Sequence, residues 1–117
     1  MTRVFAVLLV AILWQPAFAG DCSYPAPPNA IPDGKTAAQA DMVAAMTTFK
    51  QYNADVSAYL ACLELETAEK VRSAGKVASV AVQVKQLQAK KHNAALNEQK
   101  SLTGKFNEQV LAFKARK

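Results

Sequence analysis

A long stretch without proline constrains the fold of this chain more than any other feature. All five prolines precede residue 36, and none occurs between residues 36 and 117. Helix-forming residues dominate this stretch, and Gly75 and Gly104 are its only glycines. Because proline is the residue least tolerated inside a helix, the composition predicts helix almost throughout. One helix of this length would leave its apolar side unburied, so we expect the chain to turn back on itself.

Apolar residues repeat every seven positions along the first part of this stretch. The repeat includes Met42, Phe49 and Val56, and the aromatic residues Tyr52 and Tyr59 come three positions after the last two. A second apolar group at helical spacing follows near the end of the chain. This pattern predicts a coiled-coil-like core. The predicted core seam consists of Met42, Phe49, Tyr52, Val56, Tyr59, Leu63, Phe106, Val110 and Phe113.

The best candidate for the reversal is a turn over residues 73–76. Gly75 can adopt the left-handed conformation that ends many helices. A turn there gives two arms of equal length, about 36–73 and about 77–115, which suits an antiparallel helical hairpin over residues 36–117. A bend near His92 and Asn93, or at Gly104, would instead give three helices.

The start of the first helix has its own signal. Thr36 followed by Gln39 fits a capping box, in which each side chain satisfies a free backbone N–H group. The residues just before it, Pro32, Asp33 and Gly34, are typical of a tight turn. The helix is therefore predicted to begin at residue 36 or 37, with Thr36 and Gln39 as its cap.

Residues 20–35 read as an extended, proline-rich strap with Cys22 near its free end. From Cys22 to Thr36 an extended proline-type chain reaches about 43 Å at roughly 3.1 Å per residue. The helix from Thr36 to Cys62 is about 39 Å long at 1.5 Å per residue. The strap can therefore run back along the first helix and staple itself by a Cys22–Cys62 disulfide. Two free thiols, or a pair of metal ligands, is the alternative.

Residues 1–19 have the features of a cleavable secretory signal. Arg3 precedes an apolar run over residues 4–14, and Pro16 and the small residues Ala17 and Ala19 follow. The run is shorter than the roughly 20 residues that a membrane-spanning helix needs. The sequence therefore predicts export to a compartment where thiols can oxidise.

Several motifs resemble those of a family of small, exported, uncharacterised proteobacterial helical proteins. The motifs are Cys-x₂-Pro-x-Pro-Pro from Cys22, Ile-Pro-Asp-Gly at 31–34, Asp41-Met42, Lys50-x-Tyr52, Tyr-Leu-x-Cys-Leu at 59–63 and Phe-Asn-Glu-Gln-Val at 106–110. The likeness is good over the front half and poor over residues 68–95. It implies a helical protein of the bacterial periplasm with paired cysteines, and it implies no activity.

Charge is divided unevenly along the chain. Residues 20–67 carry two lysines against six acids, whereas residues 68–117 carry eleven basic residues against three acids. The basic half could form a solvated face or a contact strip for anions. We expect no binding to nucleic acid, since aromatic residues do not alternate with these lysines. The candidate anion contacts are Lys85, Lys90, Lys91, Lys100 and Lys105.

No arrangement of residues in the sequence favours catalysis, a metal ion or a cofactor. His92 is the only histidine, and no Cys-x₂-Cys spacing occurs. Glu64 and Glu66 point in different directions on a helix, so they do not form an acid–base pair. We therefore expect no enzyme activity and no cofactor.

The function expected from the sequence is that of a structural or protein-interaction module, acting on a protein partner or by self-association, with a homodimer as one form. A chaperone or stress protein that holds unfolded clients is an alternative. A weaker alternative is charge-driven contact with a membrane surface or an anionic envelope polymer. The predicted fold class is all-α: an antiparallel two-helix hairpin with an extended strap stapled to the first helix by a disulfide.

Overall fold

Two long helices pack against each other in antiparallel order. In a computed structural model, which describes residues 22–116, helix α1 spans Gln39–Ala74 and helix α2 spans Ala78–Lys114. No strand occurs among those residues. The predicted all-α hairpin is thus confirmed, and the predicted signal at residues 1–19 lies outside the described residues.

The reversal lies at Gly75, within the predicted turn. Gly75 has a φ of 60°, and its N–H donates to the carbonyl oxygen of Arg72 at 3.1 Å. A side chain strains the backbone in this conformation, which explains the glycine. The two alternative bends, at His92–Asn93 and at Gly104, lie inside the continuous α2, so the three-helix arrangement is wrong.

The predicted capping box does not form. Asp33 instead organises a turn before the helix: its carbonyl oxygen accepts the N–H groups of Thr36 and Ala37 at 3.1 and 2.8 Å. Because this turn already uses Thr36, α1 begins later, with Gln39 as its first residue and Ala38 at the N-cap without a side-chain hydrogen bond. Thr36 and Gln39 are therefore not a helix cap.

The core is a narrow seam between the helices, as the heptad pattern predicts. At its centre the rings of Phe49 and Phe106 stack nearly parallel, with 4.5 Å between their centroids. The other seam positions pack along the same line. The buried members are Met42, Phe49, Tyr52, Val56, Tyr59, Leu63 and Phe106, whereas Val110 and Phe113 are half-buried against them.

One core residue was not expected from the sequence. Ala95 of α2 is only 1% exposed and packs with Tyr59, Leu63 and the half-buried Cys22. Its single methyl group leaves room for the larger side chains of α1 and for the disulfide. The strap therefore contributes to the core at the level of Ala95.

The strap, residues 22–38 in the structure, forms a third layer on one side of the hairpin. Its free end is joined to α1 by the predicted disulfide between Cys22 and Cys62, whose Cα atoms are 5.8 Å apart. Nearby, Tyr24 packs edge-on against Tyr59 with ring centroids 5.3 Å apart, and Pro25 is buried. The strap stapled to the first helix is thus confirmed.

The other end of the strap is held against α2. The N–H of Gly34 donates to the side-chain oxygen of Gln109 at 2.9 Å. A Cβ atom at Gly34 would lie 1.9 Å from the backbone oxygen of Gln109. Gly34 does not have a positive φ, so the position requires glycine for space and not for backbone conformation.

Replacing Gly34 with alanine should lower the free energy of unfolding by about 1–3 kcal/mol, because strap and helix must separate to admit the methyl group. Urea unfolding followed by circular dichroism measures this. Gly104→Ala is the matched control. Its Cβ would meet nothing within 4 Å, so this variant should gain about 0.5–1 kcal/mol from helix propensity. Equal stability of the two variants would contradict the close approach.

Removal of the disulfide in a Cys22→Ser/Cys62→Ser variant should cost about 2–4 kcal/mol, because the unfolded chain regains the freedom of a closed loop. The same unfolding measurement applies, and reduced wild-type protein serves as the comparison. An unchanged unfolding midpoint would show that the strap docks as firmly without the covalent bond.

Candidate functional site

The strap occupies only one side of the hairpin, which we call the covered face. On α1 this face includes Tyr59 and Cys62, and on α2 it includes Glu98 and Gln109, because these four residues contact the strap. These four residues are thus engaged within the chain, and the strap takes up part of the surface that this side of the hairpin would otherwise offer to a partner.

The opposite side, which we call the uncovered face, keeps large side chains accessible. On α1 this face includes Met46, Asn53 and Leu60. These residues are spaced seven apart and point away from the residues that contact the strap. The side-chain amide of Gln99 donates to the Asn53 side-chain oxygen at 2.9 Å and joins the two helices across this face. The exposed apolar members are Met46 at 44%, Leu96 at 36% and Val82 at 53%.

Beyond the disulfide no third layer covers the hairpin among residues 22–116. We call residues 63–91 the turn end. The groove between its helices continues the line of the strap past Cys22 and holds a cavity of only about 30 Å³. Its lining residues are Leu63, Glu66, Thr67, Lys70, Val84, Leu87, Gln88 and Lys91.

Glu66 is the most strongly perturbed acid of the turn end. Its carboxylate forms a salt bridge with Lys70, one helical turn further along. The hydrogen bond from Lys70 lowers the pKa of the Glu66 carboxyl, and the charge of Lys91 adds to the effect. The acid is therefore kept ionised by its neighbours, which is a structural role.

The three tyrosines of the chain gather near Glu98 on the covered face. The hydroxyl of Tyr24 donates to the Glu98 carboxylate, and this hydrogen bond is the main reason that the pKa of Tyr24 rises to about 12. Burial raises the pKa values of Tyr52 and Tyr59. The Tyr52 hydroxyl is buried and has no hydrogen-bond partner among the described residues.

The five lysines proposed as anion contacts do not form one strip. At about 100° per residue they point in different directions around α2. Lys91 is half-buried in the groove, and the other four are exposed. Only Lys85, Lys90 and Lys91 belong to the turn end, whereas Lys100 and Lys105 lie beside the strap-covered part. The anion strip in its predicted form is therefore not supported by the geometry.

Residues 22–116 offer neither a metal site nor a membrane span. No group of three or more His, Cys, Asp or Glu side chains there is placed to hold a metal ion. No helix in the same part of the chain combines the length and apolar character needed to cross a bilayer.

Sequence reasoning missed two features of these surfaces. The exposure of Val82 and Leu96 was not expected, although their spacing of two heptads places both on one side of α2. The contact between Tyr24 and Glu98 joins residues 74 positions apart, so no local pattern could reveal it. Heptad spacing could have found the first feature, and only the tertiary structure shows the second.

The tyrosine shifts predict loss of stability in alkali. The pKa of Tyr24 is raised in the folded state, so folding favours the protonated phenol. Tyr24 therefore adds its full contribution to the free energy of unfolding below pH 10, the ordinary pKa of tyrosine. This contribution is lost as the pH rises toward about 12. In Tyr24→Phe the free energy of unfolding should fall less steeply with pH across that range, as measured by urea unfolding. Tyr59→Phe, which keeps the hydrogen bond to Glu98, is the comparison. Identical profiles for Tyr24→Phe and wild type would contradict the assignment.

The site geometry can also be compared with known proteins. No protein-family model, no curated protein and no solved structure matches this chain. The resemblance to small exported proteobacterial proteins therefore stays a prediction from the motifs. The function has to be argued from the surfaces of the hairpin itself.

Proposed function

We propose that this chain is an exported, non-catalytic protein-interaction module of the bacterial envelope, which binds a protein partner or its own copies through the uncovered face. One observation carries the proposal: Met46, Val82 and Leu96 remain 36–53% exposed on the side of the hairpin that the strap leaves open. Apolar side chains exposed along one face favour association with another protein.

Rigidity supports this role. The disulfide fixes one end of the strap to α1, and Gly34 holds the other end against α2. At the end of the hairpin opposite the turn, the Arg116 side chain donates to the Ala37 carbonyl oxygen at 2.6 Å and lies over the Phe113 ring. A face that is ordered before binding loses little entropy when a partner docks.

The proposed location is the bacterial periplasm. The disulfide is compatible with an oxidising compartment but does not identify one. The signal-like residues 1–19 and the motif resemblance supply the rest of the argument.

The absence of catalysis is proposed from the chemistry of the side chains. The clearest pKa shifts have structural causes, since Glu98 raises that of Tyr24 and Lys70 lowers that of Glu66. Neither group is paired with a nucleophile or a second acid in the way that catalytic sites require.

A client-holding chaperone is not our proposal. A chaperone for varied clients benefits from several exposed methionines, because their flexible side chains adapt to varied apolar surfaces. Met42 is buried in the core at 6% exposure, which leaves Met46 as the exposed methionine of residues 22–116.

The test is capture and mapping of a partner. Natively exported, oxidised protein is immobilised and exposed to an envelope extract, then washed at low and high salt. We expect a defined protein to survive high salt, because apolar contact is not screened. That protein is then purified and titrated directly against variants by calorimetry.

Leu96→Asp should weaken that binding by about 1.4 kcal/mol or more, a factor of ten, since a charge is placed in an apolar contact. Leu65→Asp is the matched control, because Leu65 is 72% exposed on a different side of the hairpin. Loss of binding in both variants, or in neither, would exclude the uncovered face. Monomeric protein with no captured partner would remove the proposal.

A further inference from the structure

A second apolar surface lies at the turn end, on the same side as the strap but beyond it. Spacings of three, four and three residues align Val77, Val80, Val84 and Leu87 along α2, and we call this line the turn-end ridge. Val77 is 52% exposed, Val80 40% and Leu87 52%, and residues 22–38 of the strap do not reach them. The ridge therefore lacks the cover that buries comparable positions elsewhere.

Basic residues outnumber acids around the ridge. No Asp or Glu occurs between residues 70 and 97. Over the turn end, six basic residues face three acids, an excess of three positive charges. The salt bridges described for residues 22–116 are Glu66 with Lys70 and Glu69 with Arg72, and both lie within α1. The basic residues are Lys70, Arg72, Lys76, Lys85, Lys90 and Lys91.

We propose that the turn end docks peripherally on an anionic phospholipid surface, with the ridge in the interfacial layer and the lysines of α2 at the headgroups. An apolar line flanked by lysines is the pattern of helices that lie on anionic membranes. The lysine stems can pack along apolar material while their ammonium groups stay among the phosphates. Charge complementarity thus identifies the occupant of the ridge.

Two other occupants fit the turn end less well. A second copy would bring together two ends that each carry an excess of three positive charges, which repel. A protein anchor would need a pocket for a large side chain, and the groove cavity of about 30 Å³ has room for little more than a water molecule. A broad lipid surface needs no such pocket.

The test is co-flotation of natively exported, oxidised protein with vesicles of defined composition. Wild-type protein should bind vesicles of phosphatidylethanolamine and phosphatidylglycerol at low salt. It should not bind vesicles of phosphatidylcholine alone. Failure to bind the anionic vesicles at low salt overturns the proposal.

Two matched variants locate the contact. Val80→Asp/Leu87→Asp should reduce the bound fraction about tenfold or more, since carboxylates would enter the apolar layer. Val43→Asp/Leu111→Asp adds the same charge at exposed positions far from the ridge and should bind nearly as wild type does. Equal loss in both variants means that overall charge alone drives binding, and this overturns the role of the ridge.

A second pair tests the lysines. Lys90→Gln/Lys91→Gln should reduce binding more than Lys100→Gln/Lys105→Gln, although both remove two charges. Circular dichroism checks folding, and Val80→Ser/Leu87→Ser replaces the aspartate pair if that variant unfolds. A wild-type dimer in light scattering that the ridge variants dissociate would assign the ridge to a second copy instead. Because the uncovered face is on the other side, failure here leaves the proposed protein interaction standing.

Discussion

The covalent link between Cys22 and Cys62 holds the third layer of this structure in place. Two helices in contact bury only a narrow seam, and the remaining apolar flank needs a further element. The strap supplies it along the stretch from Gly34 to Cys22, where Tyr24 and Ala95 meet the core residues of α1. Among residues 22–116 no element covers the hairpin past Cys22, and the side chains of the turn-end ridge are exposed there. Burial along the described hairpin therefore follows the extent of the strap.

Polar contacts between distant residues fix how the layers align. Tyr24 donates to Glu98, Gln99 to Asn53, and the backbone of Gly34 to Gln109. Each contact joins α2 either to the strap or to α1, so a shift in register would break several of them at once. Heptad packing alone tolerates such shifts more easily, because similar apolar residues recur every seven positions. The polar pairs thus select one arrangement.

The two proposed surfaces follow from the same asymmetry. The strap protects one side of the hairpin and leaves the other open, which gives the uncovered face its exposed Met46 and Leu96. The described part of the strap also does not reach the turn, and the turn-end ridge is exposed on its own side. The uncovered face presents exposed apolar side chains suited to a protein, and the turn-end ridge lies among basic residues suited to lipid phosphate. The two can act independently.

The sequence by itself determined the helical hairpin, its turn at Gly75, most of the core seam and the disulfide. These follow from local rules: proline exclusion, seven-residue spacing, glycine conformation and chain length. Only the tertiary structure decided that Thr36 does not cap α1 and that Ala95 is buried. It also decided that the five lysines point in different directions and that position 34 requires glycine. Those outcomes depend on which groups from distant parts of the chain compete for the same space or hydrogen bond. Local sequence does not encode that competition, so Asp33 could displace a capping box that the pattern alone favoured.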